Sequence, residues 1–240
     1  MNRGKSHCLE VWGEFACFTR PEMKVERYSY PVITPSAARG IFDAIYWKPD
    51  GRFFWQVERV ELLSVPRYIA LRRNEVKDKI PVQKVTQWMR GEGEIEPLWA
   101  DGSDSDTKGR TQRQTMALKE VRYRLHAYPV LRGGGQALTV DAQFRRRAEH
   151  GKCHYQPYLG CREFPAYFRL VAADEPTVSP VEMDMLLGWM LYDVFDLSCS
   201  NGSDAPPRIS LFNATLQRGV MEVPSYFSPA VHKVMEVSHA

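Results

Sequence analysis

The order of strand-like and helix-like segments is the feature that most constrains the fold of this chain. Residues 8–18 alternate between apolar and polar side chains, which predicts a half-buried strand. Thr34 and Pro35 then supply an N-cap and a proline at the first helical position. The helix that follows has a core-facing stripe at Ala37, Ile41, Ala44 and Ile45. Residues 53–63, rich in aromatic and β-branched side chains, predict a second strand, so this part is β-α-β.

A second β-α-β unit follows after a long interruption. Residues 66–113 carry many charges and end in the Gly/Ser/Asp tract ADGSDSDTKGR, which predicts an irregular, exposed insertion with a functional role. Residues 114–130 alternate as a strand, residues 139–150 (TVDAQFRRRAEH) predict a short basic helix, and a further strand is expected within 161–171. The chain therefore repeats the β-α-β order on either side of the insertion.

Two β-α-β units in this arrangement predict an α+β fold with a ferredoxin-like βαββαβ domain, the layout of RNA-recognition domains. We place this domain at 1–174, with 66–113 inserted into it, and a second domain at 175–240. Three apolar segments lie in the second domain, at 185–194, 209–216 and 219–223. We expect them to form a small antiparallel sheet that packs beside the first domain.

Cysteine usage and missing motifs exclude several classes of protein. The five cysteines form no CxxC pair and are odd in number, so neither a disulfide framework nor a four-ligand zinc site is expected. No apolar run is long enough to cross a membrane. The sequence also lacks GxxxxGK[ST], GxSxG and HExxH, and it has no GxGxxG after a strand. We therefore expect a cytoplasmic protein that uses no metal and no cofactor.

Arginine clustering, rather than overall charge, favours RNA as a ligand. The formal net charge is only +3, which by itself would not indicate a nucleic-acid partner. However, Arg145, Arg146 and Arg147 are adjacent on the predicted basic helix, and tyrosines such as Tyr28 and Tyr155 are interleaved with the other basic residues. Arginines can contact phosphates while aromatic rings stack on unpaired bases. Any one of these residues alone would be read as a solvated or core side chain, but the set favours RNA binding.

Five strings in the sequence carry a resemblance to a known family. They are EVWGEFACFTRPEMKVERYSYPVITPSAARGIFDAIYWKP (10–49), LRRNEV (71–76), QPYLGCREFPAYF (156–168), LGWMLYDV (187–194) and FNATLQRGVMEVP (212–224). In amino-acid sequence and in their order along the chain, they resemble the Cas five-type family of CRISPR-associated proteins, within the RAMP superfamily, in its subtype I-C branch. The resemblance spans nearly the whole chain.

The resemblance implies a fold, an activity and a set of partners. It implies a ferredoxin-like domain with a small β-sheet domain, as the segment order also predicts. It further implies a pre-crRNA processing endoribonuclease that cuts the CRISPR repeat hairpin without a metal and stays bound to the 5′ tag of the crRNA. The implied partners are the backbone, large and small subunits of a surveillance complex. Binding to duplex DNA is compatible with the arginine clusters.

Metal-free RNA cleavage restricts which side chains can act. The 2′-OH attacks its own phosphate, so the site needs a base near the 2′-OH, an acid near the leaving 5′ oxygen and a cation for the developing charge. Tyr46 matches the catalytic tyrosine of the family. Because an ordinary tyrosine has a pKa near ~10, Tyr46 needs neighbouring cations to act as a base, or it acts mainly by positioning the RNA.

The chain departs from the family at a second position. Some members carry a Lys-His pair just before the basic helix, and the corresponding residues here are Thr139 and Val140, which cannot replace it. Lys152 with His154 is the substitute that we favour, and His126 is an alternative. A third reading is that cutting is weak and the protein is chiefly a scaffold that binds the tag.

The residues and the resemblance leave three possible functions, which experiments can distinguish. The first is a metal-independent endoribonuclease that retains its product, the second a non-catalytic crRNA-capping subunit, and the third a general RNA-recognition protein without preference for a repeat hairpin. Under the first, the catalytic residues are Tyr46, His154 and Lys152. The residues expected to contact RNA are Arg20, Lys24, Arg39, Arg73, Arg113, Arg145, Arg146 and Arg162.

Overall fold

The computed structural model describes residues 3–23, 25–76, 81–95, 110–132, 137–172, 175–176, 178–199 and 208–233. Its strands are β1 His7–Ala16, β2 Arg27–Tyr28, β3 Phe53–Leu62, β4 Arg67–Val76, β5 Arg110–Leu131, β6 Tyr167–Val171, β7 Met185–Asp193, β8 Ser210–Leu216, β9 Val220–Glu222 and β10 Val231–Lys233. Its helices are α1 Pro35–Ile45, α2 Val82–Met89 and α3 Ala137–Glu149. Contacts divide the chain into two units, Met1–Ile69 with Met116–Ala240, and Ala70–Thr115.

The main sheet has the strand order β6-β1-β5-β3-β9, and each neighbouring pair is antiparallel. Leu9 on β1 lies opposite Leu125 on β5 and Leu170 on β6. Because side chains alternate along a strand, this register puts the apolar residues of neighbouring strands on one common face. The fold is thus a mixture of helices and antiparallel sheet, with the apolar face of the sheet turned to the core.

Helices α1 and α3 cover this apolar face. Phe42 of α1 and Phe144 of α3 stack with ring centroids 5.5 Å apart, and Trp55 of β3 lies 5.2 Å and 4.6 Å from the same two rings. All three side chains are buried. Aromatic side chains of this size contribute much of the apolar area that stabilises a core. This cluster fixes both helices against the sheet, and so fixes the positions of their ends.

The predicted start of α1 is confirmed. Thr34 is the N-cap residue, its Oγ1 accepts a hydrogen bond from the Ala37 backbone N at 3.3 Å, and Pro35 is the first helical residue. The predicted stripe is largely buried, but Ala37 is only partly so. The buried positions of the helix are Pro35, Ala38, Ile41, Phe42, Ala44 and Ile45.

The insertion is more regular than the sequence predicted. Within 66–113, β4 and α2 form, and β5 begins at Arg110 rather than near residue 114. The prediction of an irregular segment is therefore wrong for these stretches. No residue of β4 is buried, so the strand lacks the alternation of apolar and polar side chains that identifies a half-buried strand in a sequence. Residues 100–109 of the Gly/Ser/Asp tract lie outside the described part of the chain.

Two of the three C-terminal apolar segments form a separate small sheet, as predicted. Its order is β10-β8-β7. The third segment does not join it, because β9 pairs with β3 at the edge of the main sheet, where Met221 lies opposite Val60 and is fully buried. The expectation that 219–223 belongs to the small sheet is therefore wrong, and β10 takes that place. Edge pairing with β3 buries Met221 against the main core.

Two further sequence expectations concern membranes and disulfides. Within the described residues, no helix is long and apolar enough to cross a membrane. Within the described residues no disulfide joins the five cysteines, of which Cys17 and Cys161 are buried and Cys199 is exposed.

Candidate functional site

The C-terminal end of α1 carries the residue that the sequence singled out for catalysis. Tyr46 is the C-cap of α1, in extended conformation, and its backbone N donates a hydrogen bond to Phe42 O at 2.9 Å. The indole Nε1 of Trp55 donates to Tyr46 O at 2.9 Å. Since Trp55 belongs to the aromatic core, these two bonds hold the Tyr46 backbone rigidly at the end of the helix.

Helix α3 and the turn after it reach the same helix end. The Arg147 Nε donates to Ile45 O at 2.6 Å, and the His154 backbone N donates to Ala44 O at 2.7 Å. Carbonyls in the last helical turn have no partner within the helix, and a cation is favourable there. These two bonds therefore satisfy the end of α1, and they bring Arg147 and the His154 segment close to Tyr46.

The phenol of Tyr46 is held in its neutral form. Its side chain is only 8% exposed and stacks on Phe53 with ring centroids 5.7 Å apart. Burial raises the pKa of Tyr46 above its ordinary value, with the charge of Asp50 adding to the shift and those of Arg147 and Arg52 opposing it. At neutral pH this tyrosine can donate a proton or orient a substrate, but it is not a ready base.

Lys152 and His154 lie near this helix end, whereas His126 does not. Both residues are exposed, and the Lys152 backbone N donates to Arg147 O at 2.9 Å. His126 points from the other face of the sheet, where its Nε2 is 2.9 Å from a carboxylate oxygen of Glu61. Thr139 and Val140, the positions of the missing Lys-His pair, form part of the first turns of α3. Lys152 and His154 are therefore the better placed substitutes.

Arg147 is a site residue that the sequence reasoning missed. In the sequence it belongs to the basic run, of which Arg145 and Arg146 are the residues predicted to contact RNA. Its helical position was informative, because it lies three residues after the buried Phe144 and one before the buried Ala148. That spacing turns its side chain toward the core side of α3, so its guanidinium reaches α1 rather than solvent.

The arginines predicted to bind RNA have different surroundings. Arg145 and Arg146 are exposed on α3, where Arg145 pairs with Glu149 at 3.2 Å. Arg39, by contrast, is held between two carboxylates, with Nε 2.7 Å from Asp193 and Nη1 2.5 Å from Asp43. Its charge is already compensated inside the protein, and a phosphate would have to displace those partners.

The remaining predicted contacts are spread over the chain. Arg20 lies over the ring of Tyr30, 4.5 Å from its centroid, and Arg162 is exposed. In the unit Ala70–Thr115, Arg73 donates to Thr115 Oγ1 at 3.3 Å and Arg113 is 3.3 Å from Glu75. Lys24 lies outside the described residues. The structure thus groups Tyr46, Lys152 and His154 with the basic face of α3, and it does not bring all predicted arginines to one place.

The face of the main sheet opposite the helices carries a buried ionic network. Alternation along β1 and β5 places Glu10, Arg124 and His126 on the side of the strands opposite the apolar residues, yet Glu10 and Arg124 are buried. Arg122 Nε and Arg169 Nη2 donate to the two oxygens of Glu10 at 2.6 and 2.5 Å. Next to it, Arg124 and His126 both donate to Glu61. Pairing between strands thus allows charged residues to be buried on this face.

Glu61 makes the stability of this network depend on pH. Burial opposes the ionisation of Glu61, but hydrogen bonds and positive charge from His126 and Arg124 prevail and lower its pKa to about 2. The stabilisation is therefore complete above the ordinary carboxyl pKa near ~4.5 and is lost as the pH falls toward 2. We expect Glu61→Gln to remove about 2–3 kcal/mol of this pH-dependent unfolding free energy, measured by urea unfolding between pH 2 and 7.

The control for this measurement is Glu58→Gln, on the same strand. Glu58 pairs with Arg3 at 2.7 Å, but both side chains are partly exposed, so the pair is screened by water. Its replacement should leave the acid dependence nearly unchanged. Parallel stability curves for the wild type and Glu61→Gln would contradict the assignment of acid sensitivity to this network.

Residues 8–235 match the model of a family described as CRISPR-associated protein (Cas_Cas5). A protein of Mannheimia succiniciproducens, named CRISPR pre-crRNA endoribonuclease Cas5d, is 40% identical over 94% of this chain and 97% of its own length. A Thermus thermophilus protein of the same name is 40% identical over 78% of this chain and 72% of its own length.

Solved structures share the fold at low sequence identity. A crystal structure of a CRISPR-associated protein superposes with a TM-score of 0.64 and 20% identity, covering 97% of this chain and 98% of the other. A functionally uncharacterized protein from Streptococcus mutans gives a TM-score of 0.59 at 18% identity, with 97% and 99% of the two chains covered. The mixture of helices with antiparallel sheets and a small separate sheet is therefore one found in CRISPR-associated proteins. The chain belongs to the Cas5 family of CRISPR-associated proteins, in its Cas5d branch.

Proposed function

We propose that this protein is a metal-independent endoribonuclease that cleaves CRISPR repeat RNA, the pre-crRNA, and keeps hold of the 5′ tag of the crRNA it makes. The observation that carries the proposal is the convergence at the end of α1. There Tyr46 is bracketed by Arg147 and by the His154 segment, each bonded to a carbonyl of the last helical turn. The names of the two relatives, each 40% identical, support the same activity.

The proposed reaction uses the RNA as its own nucleophile. The 2′-oxygen attacks the adjacent phosphorus, the bond to the 5′ oxygen breaks, and a cyclic phosphate and a 5′-OH result. His154 takes the proton of the 2′-OH, and the neutral phenol of Tyr46 orients the attacked phosphate or supplies the proton to the leaving oxygen. Lys152, with the nearby guanidinium of Arg147, stabilises the charge that develops on the phosphate. No metal or cofactor takes part.

Binding of the repeat hairpin is assigned to the basic residues that the sequence predicts as RNA contacts. Arg145 and Arg146 lie on the exposed side of α3, and Arg20, Lys24, Arg73, Arg113 and Arg162 complete the proposed set. Arg39 remains a candidate only if RNA can displace Asp43 and Asp193. Because phosphate contacts dominate such binding, the affinity should fall steeply with salt. Duplex DNA is proposed as a second ligand of the same arginines.

The fold and the partners are proposed on the same basis. The antiparallel order β6-β1-β5-β3, with α1 and α3 on one face, supports a ferredoxin-like βαββαβ domain over 1–174 with 66–113 inserted, and a small-sheet domain over 175–240. The match to a CRISPR RNA-guided surveillance complex, with a TM-score of 0.50 at 16% identity over 92% of this chain and 90% of the other, fits that fold. We propose that the backbone, large and small subunits of a type I-C complex assemble with this protein in the cytoplasm.

A non-catalytic scaffold that binds the 5′ tag is the second candidate. It is favoured by the burial of Tyr46, which leaves little of its ring open to a substrate. Under this alternative the same basic surface binds repeat RNA, but the bound RNA stays intact.

The test is cleavage of the cognate repeat RNA by the wild-type full chain in the presence of EDTA. We expect one cut that leaves a 5′-OH and a cyclic phosphate, and no cut in an unrelated hairpin of equal length. Tight binding without a cut would overturn the enzyme proposal in favour of the scaffold. Equal binding to both hairpins would instead indicate a general RNA-recognition protein.

A further inference from the structure

We propose that the open face of the main sheet carries a stacking site for unpaired RNA bases, formed by Trp12 and Tyr167 and separate from the Tyr46 centre. The two residues lie opposite each other on β1 and edge strand β6. Their rings stack at 26° with centroids 6.2 Å apart. They remain 37% and 56% exposed, so part of both rings is open to solvent. The role of RNA as ligand rests on the proposed function.

The strand register extends this pair into a row across the sheet. Arg122 of β5 lies opposite Trp12, so Tyr167, Trp12 and Arg122 are neighbours on one face. The Arg122 side chain is half exposed. A planar aromatic pair beside a planar guanidinium is the surface on which sheet-type RNA-binding domains stack bases and contact phosphates.

The next row of the same face explains why only the first row is open. Arg169, Glu10 and Arg124 lie side by side there, and Glu10 and Arg124 are buried. The chain after β6 covers them, since Arg124 Nη2 donates to Val178 O at 2.8 Å and Arg169 pairs with Glu175 at 2.5 Å. The aromatic row has no such cover in the described contacts, so a ligand can reach it.

Charge around the aromatic pair favours RNA over a protein partner. Arg122 and Arg169 share the carboxylate of Glu10, and Arg169 also pairs with Glu175, so these two arginines are balanced by two carboxylates. The positive charge comes from an adjacent cleft of about 970 Å³, whose lining has more cations (Lys5, Arg59, Arg124, Arg145, Arg169) than carboxylates (Glu61, Glu149, Glu175). Glu14, two residues beyond Trp12 on β1, is exposed and would repel phosphate. The RNA backbone is therefore expected on the Arg122 and Arg169 side of the rings.

The experiment measures binding of a labelled oligouridylate, which has no secondary structure, by fluorescence anisotropy with the full chain. We expect Trp12→Ala to lower the affinity about ten-fold or more, because base stacking on an aromatic side chain contributes strongly. Tyr167→Ala should lower it less, and Trp12→Phe should retain most of it, since phenylalanine still stacks. Trp12→Phe and Tyr167→Ala also keep the test valid if Trp12→Ala does not fold.

The matched control is Trp189→Ala, which removes a 54% exposed tryptophan from β7 of the small sheet. An equal loss of affinity in Trp12→Ala and Trp189→Ala, or no loss in any variant of the pair, would overturn the site. So would a Trp12→Ala defect confined to assembly with other subunits, which would make the row a protein contact.

Cleavage of the repeat hairpin, followed in parallel, separates this proposal from the proposed function. The Trp12→Ala variant should cut the isolated repeat hairpin at the wild-type rate. The row of Tyr167, Trp12 and Arg122 lies on the sheet face opposite the end of α1, where cleavage is proposed to occur. A wild type that binds oligouridylate through Trp12 but never cuts would retain the stacking site and overturn the enzyme. If the wild type cuts the hairpin but binds oligouridylate independently of Trp12, the enzyme proposal is retained and the stacking site is overturned.

Discussion

Replacing Tyr46 with phenylalanine is expected to lower the rate of repeat-RNA cleavage about 100-fold or more, with little change in RNA affinity. The change removes only the hydroxyl, while the ring can still stack on Phe53 and the backbone bond from Trp55 is untouched. Loss of a positioned proton donor or acceptor typically costs about 10²–10⁴-fold in rate. Single-turnover cleavage in EDTA, with binding measured separately, is the appropriate assay.

The control for this result is Tyr128→Phe, the same chemical change on β5, where the ring lies under Arg3 and away from the α1 end. It should cut at the wild-type rate. His154→Ala and His126→Ala then identify the second residue, since we expect a loss in the former and near-normal cleavage in the latter. If Tyr46→Phe cuts normally, the proposed chemistry is wrong and Tyr46 serves only as the end of α1.

Replacing Arg39 with leucine is expected to destabilise the protein by about 3–5 kcal/mol, a large part of the stability of an ordinary domain. Arg39 binds Asp193 through Nε at 2.7 Å and Nη2 at 3.1 Å, and binds Asp43 through Nη1. Burial raises the pKa of Asp43 to about 6, with Arg39 opposing the shift and Asp193 adding to it. Without Arg39, two carboxylates would be buried together without a cation. Urea unfolding at pH 7 measures the loss.

Arg146→Ala, on the exposed side of α3, is the matched control. It removes an arginine of the predicted RNA-binding set whose side chain contacts only Gln143 in the described bonds. It should change stability by less than about 0.5 kcal/mol and weaken RNA binding instead. The opposite pattern, with Arg39→Leu stable but deficient in RNA binding, would return Arg39 to the RNA-contacting residues that the sequence predicted.

Arg39 also shows why residue type alone does not reveal the surroundings of an arginine. In the sequence it is one more arginine near the start of a helix, with no sign that Asp193 lies beside it. The pair joins residues 154 positions apart, through packing of α1 against the small sheet. The position of Arg147 depends on long-range packing in the same way, since its partner is a backbone carbonyl of Ile45 on another helix. Long-range pairing decides whether a cation is free to meet RNA.

Local sequence determined most of the regular structure. The Thr34-Pro35 start of α1, the period of β1 and the basic helix α3 depend on capping, proline geometry and side-chain spacing, which act within a few residues. The five sequence strings similarly predicted the Cas5 family, because a resemblance in amino-acid sequence can be recognised without knowledge of tertiary contacts. The exposed elements β4 and α2 were not predicted from the sequence, because they lack a buried face.

Only the tertiary structure decided which of these elements meet. It placed β9 at the edge of the main sheet, buried Glu10 and Glu61 on the face opposite the helices, and aligned Trp12 with Tyr167 across β1 and β6. It also joined α3 and the His154 turn to the end of α1. Sequence periodicity fixes which side of a strand or helix is apolar, but strand register and helix packing arise from the core as a whole. The residues that could perform chemistry together were therefore identified only in three dimensions.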